Sequence, residues 1–188
     1  MTLTGTIITY CWVIWAVFWF ASAFLQKRIE KRISSFWGIL QYLLIFIPVI
    51  LLVRYNIFNF TSIVLVKTTL FINILSIFLC VVGLALTLLA RIYLSGNWSG
   101  AVVLKKGHEL IQKGPYRFIR HPIYSGMCLM FLGTAFAVGR IGGFIGFAIF
   151  FLGLWFKSRQ EERLMIKHFG RKYLDYKKRT KALIPYVF

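Results

Sequence analysis

The residues best suited to chemistry lie in two clusters. The first is Gly114-Pro-Tyr-Arg-Phe-Ile-Arg-His-Pro-Ile-Tyr-Ser-Gly126, a polar run between long apolar segments. It opens on a Gly-Pro turn signal and brings Tyr116, Arg117, Arg120, His121 and Tyr124 within nine positions. Pro122 suits the first turn of a helix, where the missing N–H costs nothing. The run therefore reads as a loop delivering Arg120 and His121 to a helix N-terminus, where free amides and the helix dipole favour an anion. The second cluster is Glu161-Glu162, two of only five acidic residues in the chain. Their forward helical neighbours, Leu164, Met165 and Ile166, are apolar. The only basic partners on the same helix, Lys157 and Arg159, precede them, the weaker orientation for an ion pair. Carboxylates so placed are candidate ligand groups.

Other chemistries lack a sequence signature. His108, His121 and His168 match no zinc spacing, so no metal site is expected. There is no nucleophile elbow, P-loop or dinucleotide fingerprint. Cys11, Cys80 and Cys128 fall inside apolar segments and read as packing residues, with no disulfide framework.

The elements that must position these residues are membrane helices. Of the 188 residues 59% are hydrophobic, and the mean hydropathy is +0.75, outside the range of soluble domains. Uncharged runs near twenty residues predict a polytopic all-α membrane bundle of about five spans: 5–25, 36–53, 63–90, 122–138 and 141–156. Trp12, Trp15 and Trp19 share one side of the first span and read as packing residues. The last span is expected to continue as a helix to Phe169 and stop at Gly170, followed by a short helix from Arg171 to Thr180. The apolar tail after Ile184 is expected to fold back onto the bundle. Glycines seven apart, Gly126 with Gly133 and Gly146 with Gly153, predict close approach of the last two spans. Residues 101–104 read as an interfacial or re-entrant piece. The long 63–90 stretch exceeds a hydrocarbon core of about 30 Å, so either it tilts or its end projects into the cytoplasmic layer, which would carry Arg91 and Tyr93 towards the site.

The net charge of +18 is concentrated in loops of alternate parity. That is the positive-inside pattern. It predicts an integral multi-pass protein with the N-terminus outside and the C-terminus cytoplasmic. The basic face is expected to meet anionic membrane lipids rather than nucleic acid.

Gly114-x-Tyr116, Arg120-His-Pro-x-Tyr124, Glu161-Glu162, Phe169-Gly170 and Tyr173-x-x-Tyr176 together resemble the isoprenylcysteine carboxyl methyltransferase family, and phospholipid methyltransferases are similar. The resemblance spans residues 95–188. It implies a methyltransferase-like core over 95–188 behind N-terminal transmembrane helices over 1–94, with a cytoplasmic C-terminal helical cofactor site. It further implies an integral membrane enzyme that uses S-adenosylmethionine and methylates a lipophilic acceptor entering from the bilayer, through a carboxylate, amine or thiol. On this resemblance the cofactor-binding residues are His108, Glu109, Leu110, Ile111, Tyr116, His121, Pro122, Ile123, Tyr124 and Glu161. Backbone amides near Pro122 would hold the cofactor's carboxylate. Arg120 and Glu162 are the expected catalytic residues, and Lys157 the expected substrate contact, where the isoprenylcysteine enzymes carry Arg. Two alternatives are an NADPH-dependent membrane lipid reductase of the sterol type, similar around Arg-His-Pro, and a non-enzymatic lipid-binding membrane protein.

Overall fold

The computed structural model describes residues 2–24, 29–32, 43, 48, 59–98, 103–105 and 107–183. Among the described residues five α-helices carry the fold: α1 (Leu3–Ala23), α2 (Leu70–Leu94), α3 (Pro122–Val138), α4 (Ile141–Phe169) and α5 (Arg171–Arg179). An antiparallel ribbon pairs β1 (Ile29–Arg32) with β2 (Val103–Lys105), Ile29 opposite Lys105 and Arg32 opposite Val103. Residues 103–105 are strand, tied to the first basic loop, and residues 101 and 102 of the expected interfacial or re-entrant piece lie outside the described residues. The predicted second span, 36–53, lies almost wholly outside the described residues, as does the tail after Ile184.

Leu3–Ser22, Leu70–Asn97 and Ile141–Phe169 are long and apolar enough to cross a membrane, and Pro122–Val138 is a shorter apolar helix. Large apolar side chains face outward along α1 (Tyr10, Val13, Val17, Phe20) and α2 (Phe71, Ile74, Phe78, Val81). Such bands mark surfaces that meet a membrane or another protein, and three of the described helices are long and apolar enough to cross a membrane. The chain is an integral membrane protein.

The third predicted span starts later than the apolar run suggested. Residues 63–69 are not helical, because they dock on the turn between α3 and α4. Leu65 and Val66 donate their amides to the Gly139 carbonyl at 2.9 and 3.0 Å, and Ile141 donates to Ile63 at 3.0 Å. Thr69 then caps α2 by accepting from the Ile72 amide. At ~1.5 Å per residue α2 is about 38 Å long, longer than a hydrocarbon core of about 30 Å.

Small residues do bring helices together, but the partner differs from the expected one. Gly126 and Gly133 of α3 lie against α2, not α4. A Cβ on Gly126 would stand 2.6 Å from the Gly83 carbonyl oxygen, and one on Gly83 2.5 Å from the Gly126 carbonyl oxygen. The α3–α4 approach is close near their shared turn, where Gly143 faces Ala135. The tryptophans of α1 pack as predicted. Trp12 donates to Thr134 Oγ1 at 3.0 Å and meets Phe131 edge-on, while Trp15 stacks on Trp19. Trp19 meets Trp98 edge-on, with centroids 5.5 Å apart, which links α1 to the site end of the bundle. α4 runs unbroken to Phe169 and ends at Gly170, whose φ of +55° suits glycine, as the sequence predicted.

Candidate functional site

At the end of the bundle opposite the α3–α4 turn, α2 finishes with Arg91 buried. Its guanidinium donates to the Ser95 and Ser22 carbonyls, both at 2.6 Å, and lies 4.9 Å from the centroid of Trp98. Arg91 thereby fixes the turn Ser95–Asn97 that follows. Tyr93 packs its ring where a side chain on Gly114 would stand, so Gly114, at φ +58°, allows the loop to pass close to α2. The loop then forms a 3-10 turn over Gly114–Arg117 and enters α3 at Pro122.

This loop is held from behind by the chain's C-terminal segment. The Arg120 amide donates to the Lys181 carbonyl at 2.8 Å and the His121 amide to Ala182 at 3.0 Å. The Ser125 hydroxyl also donates to the Leu183 carbonyl. Tyr176 of α5 donates its hydroxyl to the Tyr116 carbonyl at 2.6 Å. The amides of Arg120 and His121 are therefore committed to protein carbonyls, in contrast to the expectation that amides beside Pro122 serve an anion.

The two glutamates are adjacent in sequence but differ in setting. Glu162 is 2% exposed and ion-paired. Arg120 Nε donates to its Oε1 at 2.6 Å, Lys177 Nζ stands 2.8 Å from Oε2, and His121 Nε2 is 3.6 Å from Oε1. Arg120 also donates to the Thr180 carbonyl. Glu161 is partly open. Its Oε1 accepts from the Tyr124 hydroxyl at 2.5 Å, and its Oε2 is 3.5 Å from His121 Nδ1. The imidazole of His121 stacks on Tyr124 with 1° between the planes. Burial disfavours an imidazolium, but hydrogen bonding to and the charge of Glu161 and Glu162 outweigh it, and the pKa of His121 is raised above its usual 6.5. Burial also raises the pKa of Tyr116, Tyr173 and Tyr176, so these phenols stay neutral.

These parts surround one hollow, part of which is open to its surroundings. His108, Glu109, Leu110, Ile111, Tyr116, Arg120, His121, Ile123, Tyr124 and Glu161 all line it. Pro122, Lys157 and Glu162 do not. Pro122 starts α3, Lys157 sits with its ammonium 5.4 Å from the centroid of the Tyr124 ring, and Glu162 anchors the ion cluster behind Arg120. The lining residues that sequence reasoning missed are Leu94, Asn97, Trp98, Leu164, Met165, Tyr173 and Tyr176. Signals for some were present. Leu164 and Met165 lie three and four residues after Glu161, on the same helix face. Tyr173 and Tyr176 belong to a motif already singled out but given no role. Asn97 lies in a turn-rich stretch, and its Oδ1 accepts the Glu109 amide at 3.3 Å, closing the wall there.

Comparison with known proteins gives a consistent result. Residues 71–172 match the family described as phospholipid methyltransferase. The chain is 34% identical over 116 residues to the protein-S-isoprenylcysteine O-methyltransferase of Schizosaccharomyces pombe, a match covering 58% of this chain and 48% of that one. It is 28% identical over 127 residues to the human protein of the same name, covering 64% of this chain and 44% of that one. The solved structure of a eukaryotic intramembrane Ras methyltransferase, isoprenylcysteine carboxyl methyltransferase, superposes with a TM-score of 0.52 at 23% identity. That match covers 81% of this chain and 52% of that one. The chain thus spans about half the length, or less, of these proteins, and the structural likeness shows a common fold.

Proposed function

Because the chain belongs to the phospholipid methyltransferase family, we propose that it is an integral membrane methyltransferase that uses S-adenosylmethionine and methylates a lipophilic acceptor reaching it from the bilayer. The observation that carries the proposal is the single hollow in which Tyr116, His121, Tyr124 and Glu161 meet the segment His108–Ile111.

The residues present fit the methyl donor. It carries an ammonium, ribose hydroxyls, an adenine ring and a sulfonium. Glu161, partly open and held by Tyr124 and His121, suits the ammonium or the hydroxyls. Leu94, Leu110, Ile111, Leu164 and Met165 give the hollow apolar walls that exclude water, and Trp98, Tyr116 and Tyr124 add aromatic surface to the lining. Bound there, the donor supplies an electrophilic methyl group whose thioether leaves neutral. The protein's task is then alignment and desolvation rather than strong acid–base catalysis, and no nucleophilic triad is required. In this reading Arg120 faces the hollow and steadies the loop, while Glu162 acts through Arg120 as a positioning residue. Lys157 lies one helical turn before Glu161 and serves an anionic acceptor as a point charge, without the bidentate grip of an arginine. The positive-inside pattern of the sequence supports a site at the cytoplasmic surface, with the N-terminus outside.

The experiment is a transfer assay. Purified protein in nanodiscs is incubated with methyl-radiolabelled S-adenosylmethionine and either membrane lipid extract or a short prenylcysteine, and organic-phase counts are measured. Label moving into an apolar product supports the proposal. Absence of transfer to every acceptor, together with heat protection by NADPH but not by S-adenosylhomocysteine, would replace it with the reductase reading.

A further inference from the structure

A second groove is also built on the 114–121 loop and shares no lining residue with the hollow. Leu86 of α2 and Pro115, Phe118 and Ile119 form its apolar part, and Arg117, Arg179 and Lys181 supply three exposed cations. Phe118 is 60% exposed, an unusual state for a phenylalanine at a polar loop. Among the described residues that line the groove there is no carboxylate. Nearby Asp175 turns its carboxylate towards Lys178 Nζ at 3.7 Å, while Arg179 donates to the Gln112 side chain at 3.4 Å and the Asp175 carbonyl at 3.3 Å. Leu86 sits about 12 Å before the end of α2, so if the excess of α2 over a core of about 30 Å lies at this end, the groove stands at the boundary between hydrocarbon and headgroups.

Apolar floor, cationic rim and membrane depth together select one kind of occupant. We propose that this groove seats an anionic phospholipid, with its phosphate among Arg117, Arg179 and Lys181 and the start of an acyl chain against Phe118 and Leu86. The seat is separate from the hollow and does not depend on its ligand. A soluble phosphate would leave Phe118 in water; a zwitterionic lipid would add its own cation to three. The groove also bridges two strips of chain that hold the site. Ile119 and Lys181 pair in parallel, with the Lys181 amide donating to the Phe118 carbonyl at 3.4 Å. A lipid bound across both strips clamps the C-terminal segment to the loop and raises the melting temperature.

The test uses full-length protein in a neutral detergent, titrated with dioctanoyl phosphatidylglycerol while the melting temperature is followed. Saturable stabilisation is expected, with none from equal concentrations of dioctanoyl phosphatidylcholine or inorganic phosphate. In the triple variant Arg117→Gln/Arg179→Gln/Lys181→Gln, the half-saturating concentration should rise on the order of a hundredfold. Phe118→Ser keeps the charges and should raise it about tenfold, which gives a second readout if the triple variant folds poorly. A control that removes three exposed cations elsewhere, Lys167→Gln/Arg171→Gln/Lys172→Gln, should bind as the parent does. Equal stabilisation by phosphatidylcholine or by phosphate overturns the proposal. So does a control variant that loses as much affinity as the groove variant, since the effect would then be diffuse charge.

Discussion

Replacing Glu162 with glutamine separates stability from ligand binding at two adjacent positions. Glu162 is 2% exposed and takes the Nε of Arg120 at 2.6 Å, with the Arg120 side chain itself only 6% exposed. Glutamine preserves the volume but removes the negative charge, leaving a buried guanidinium whose remaining described acceptors are the carbonyls of Thr180 and Lys177 and the Thr180 hydroxyl. Removing one partner of a buried pair costs about 3–5 kcal/mol. The surviving carbonyl contacts, and the freedom of Lys177, whose side chain is 35% exposed, to turn to solvent, place the cost at the lower end, about 3 kcal/mol. For a chain of this size about 1 kcal/mol moves the melting temperature by about 2–4 °C, so Glu162→Gln should melt about 6–12 °C lower. Glu161→Gln keeps a hydrogen-bond acceptor for Tyr124 at a partly open position and should lose less than half as much. The assay is thermal unfolding of both variants in the same detergent, followed by intrinsic fluorescence. A Glu162→Gln protein that melts with the parent, or a larger loss in Glu161→Gln, would refute the division of roles between the two carboxylates.

Three further outcomes follow from the same geometry. His121 binds its proton more tightly in the folded protein, so its stabilising contribution is complete below the unfolded pKa of about 6.5 and is lost as pH rises through the raised folded value. The difference in melting temperature between the parent and His121→Gln should therefore shrink as pH is raised above 6.5, and a difference that grows would contradict the assignment. Gly83→Val should destabilise the protein strongly, because even a Cβ would stand 2.5 Å from the Gly126 backbone and α2 and α3 would have to separate; unchanged folding yield would show that the helices are not so close. Tyr176→Phe removes the buried hydrogen bond to the Tyr116 carbonyl and should cost about 1–3 kcal/mol in chemical or thermal unfolding, with no loss expected if that contact is absent.

Much of the bundle was legible because membrane helices announce themselves by uncharged length and by their stops. Gly170 ended α4 and Pro122 began α3 as predicted, each for a local backbone reason. What was misread depended on contacts distant in sequence. Apolar composition alone extended the third span back to residue 63, but those residues are not helical because they bond to the Gly139 turn. The spacing of Gly126 and Gly133 showed that some helix approaches closely without showing which, and the partner proved to be α2. At the site, the residues carried over by resemblance fell mostly into one hollow, since the motif is read along a loop and one helix face. The different settings of Glu161 and Glu162 were not legible. Neighbours on a helix point about 100° apart, and only the docking of α5 and the Lys181–Leu183 strip decides which of them is enclosed. That same docking commits the amides of Arg120 and His121, which no local pattern reveals.

The central claim is that the methyl donor occupies the hollow around Glu161, and isothermal titration of S-adenosylhomocysteine addresses it most directly. The account predicts saturable binding to the parent protein, weakened at least tenfold in Glu161→Gln and nearly unchanged in the control variant Lys167→Gln. Equal affinity in the parent and Glu161→Gln, or no binding to a parent protein that is demonstrably folded, would contradict it.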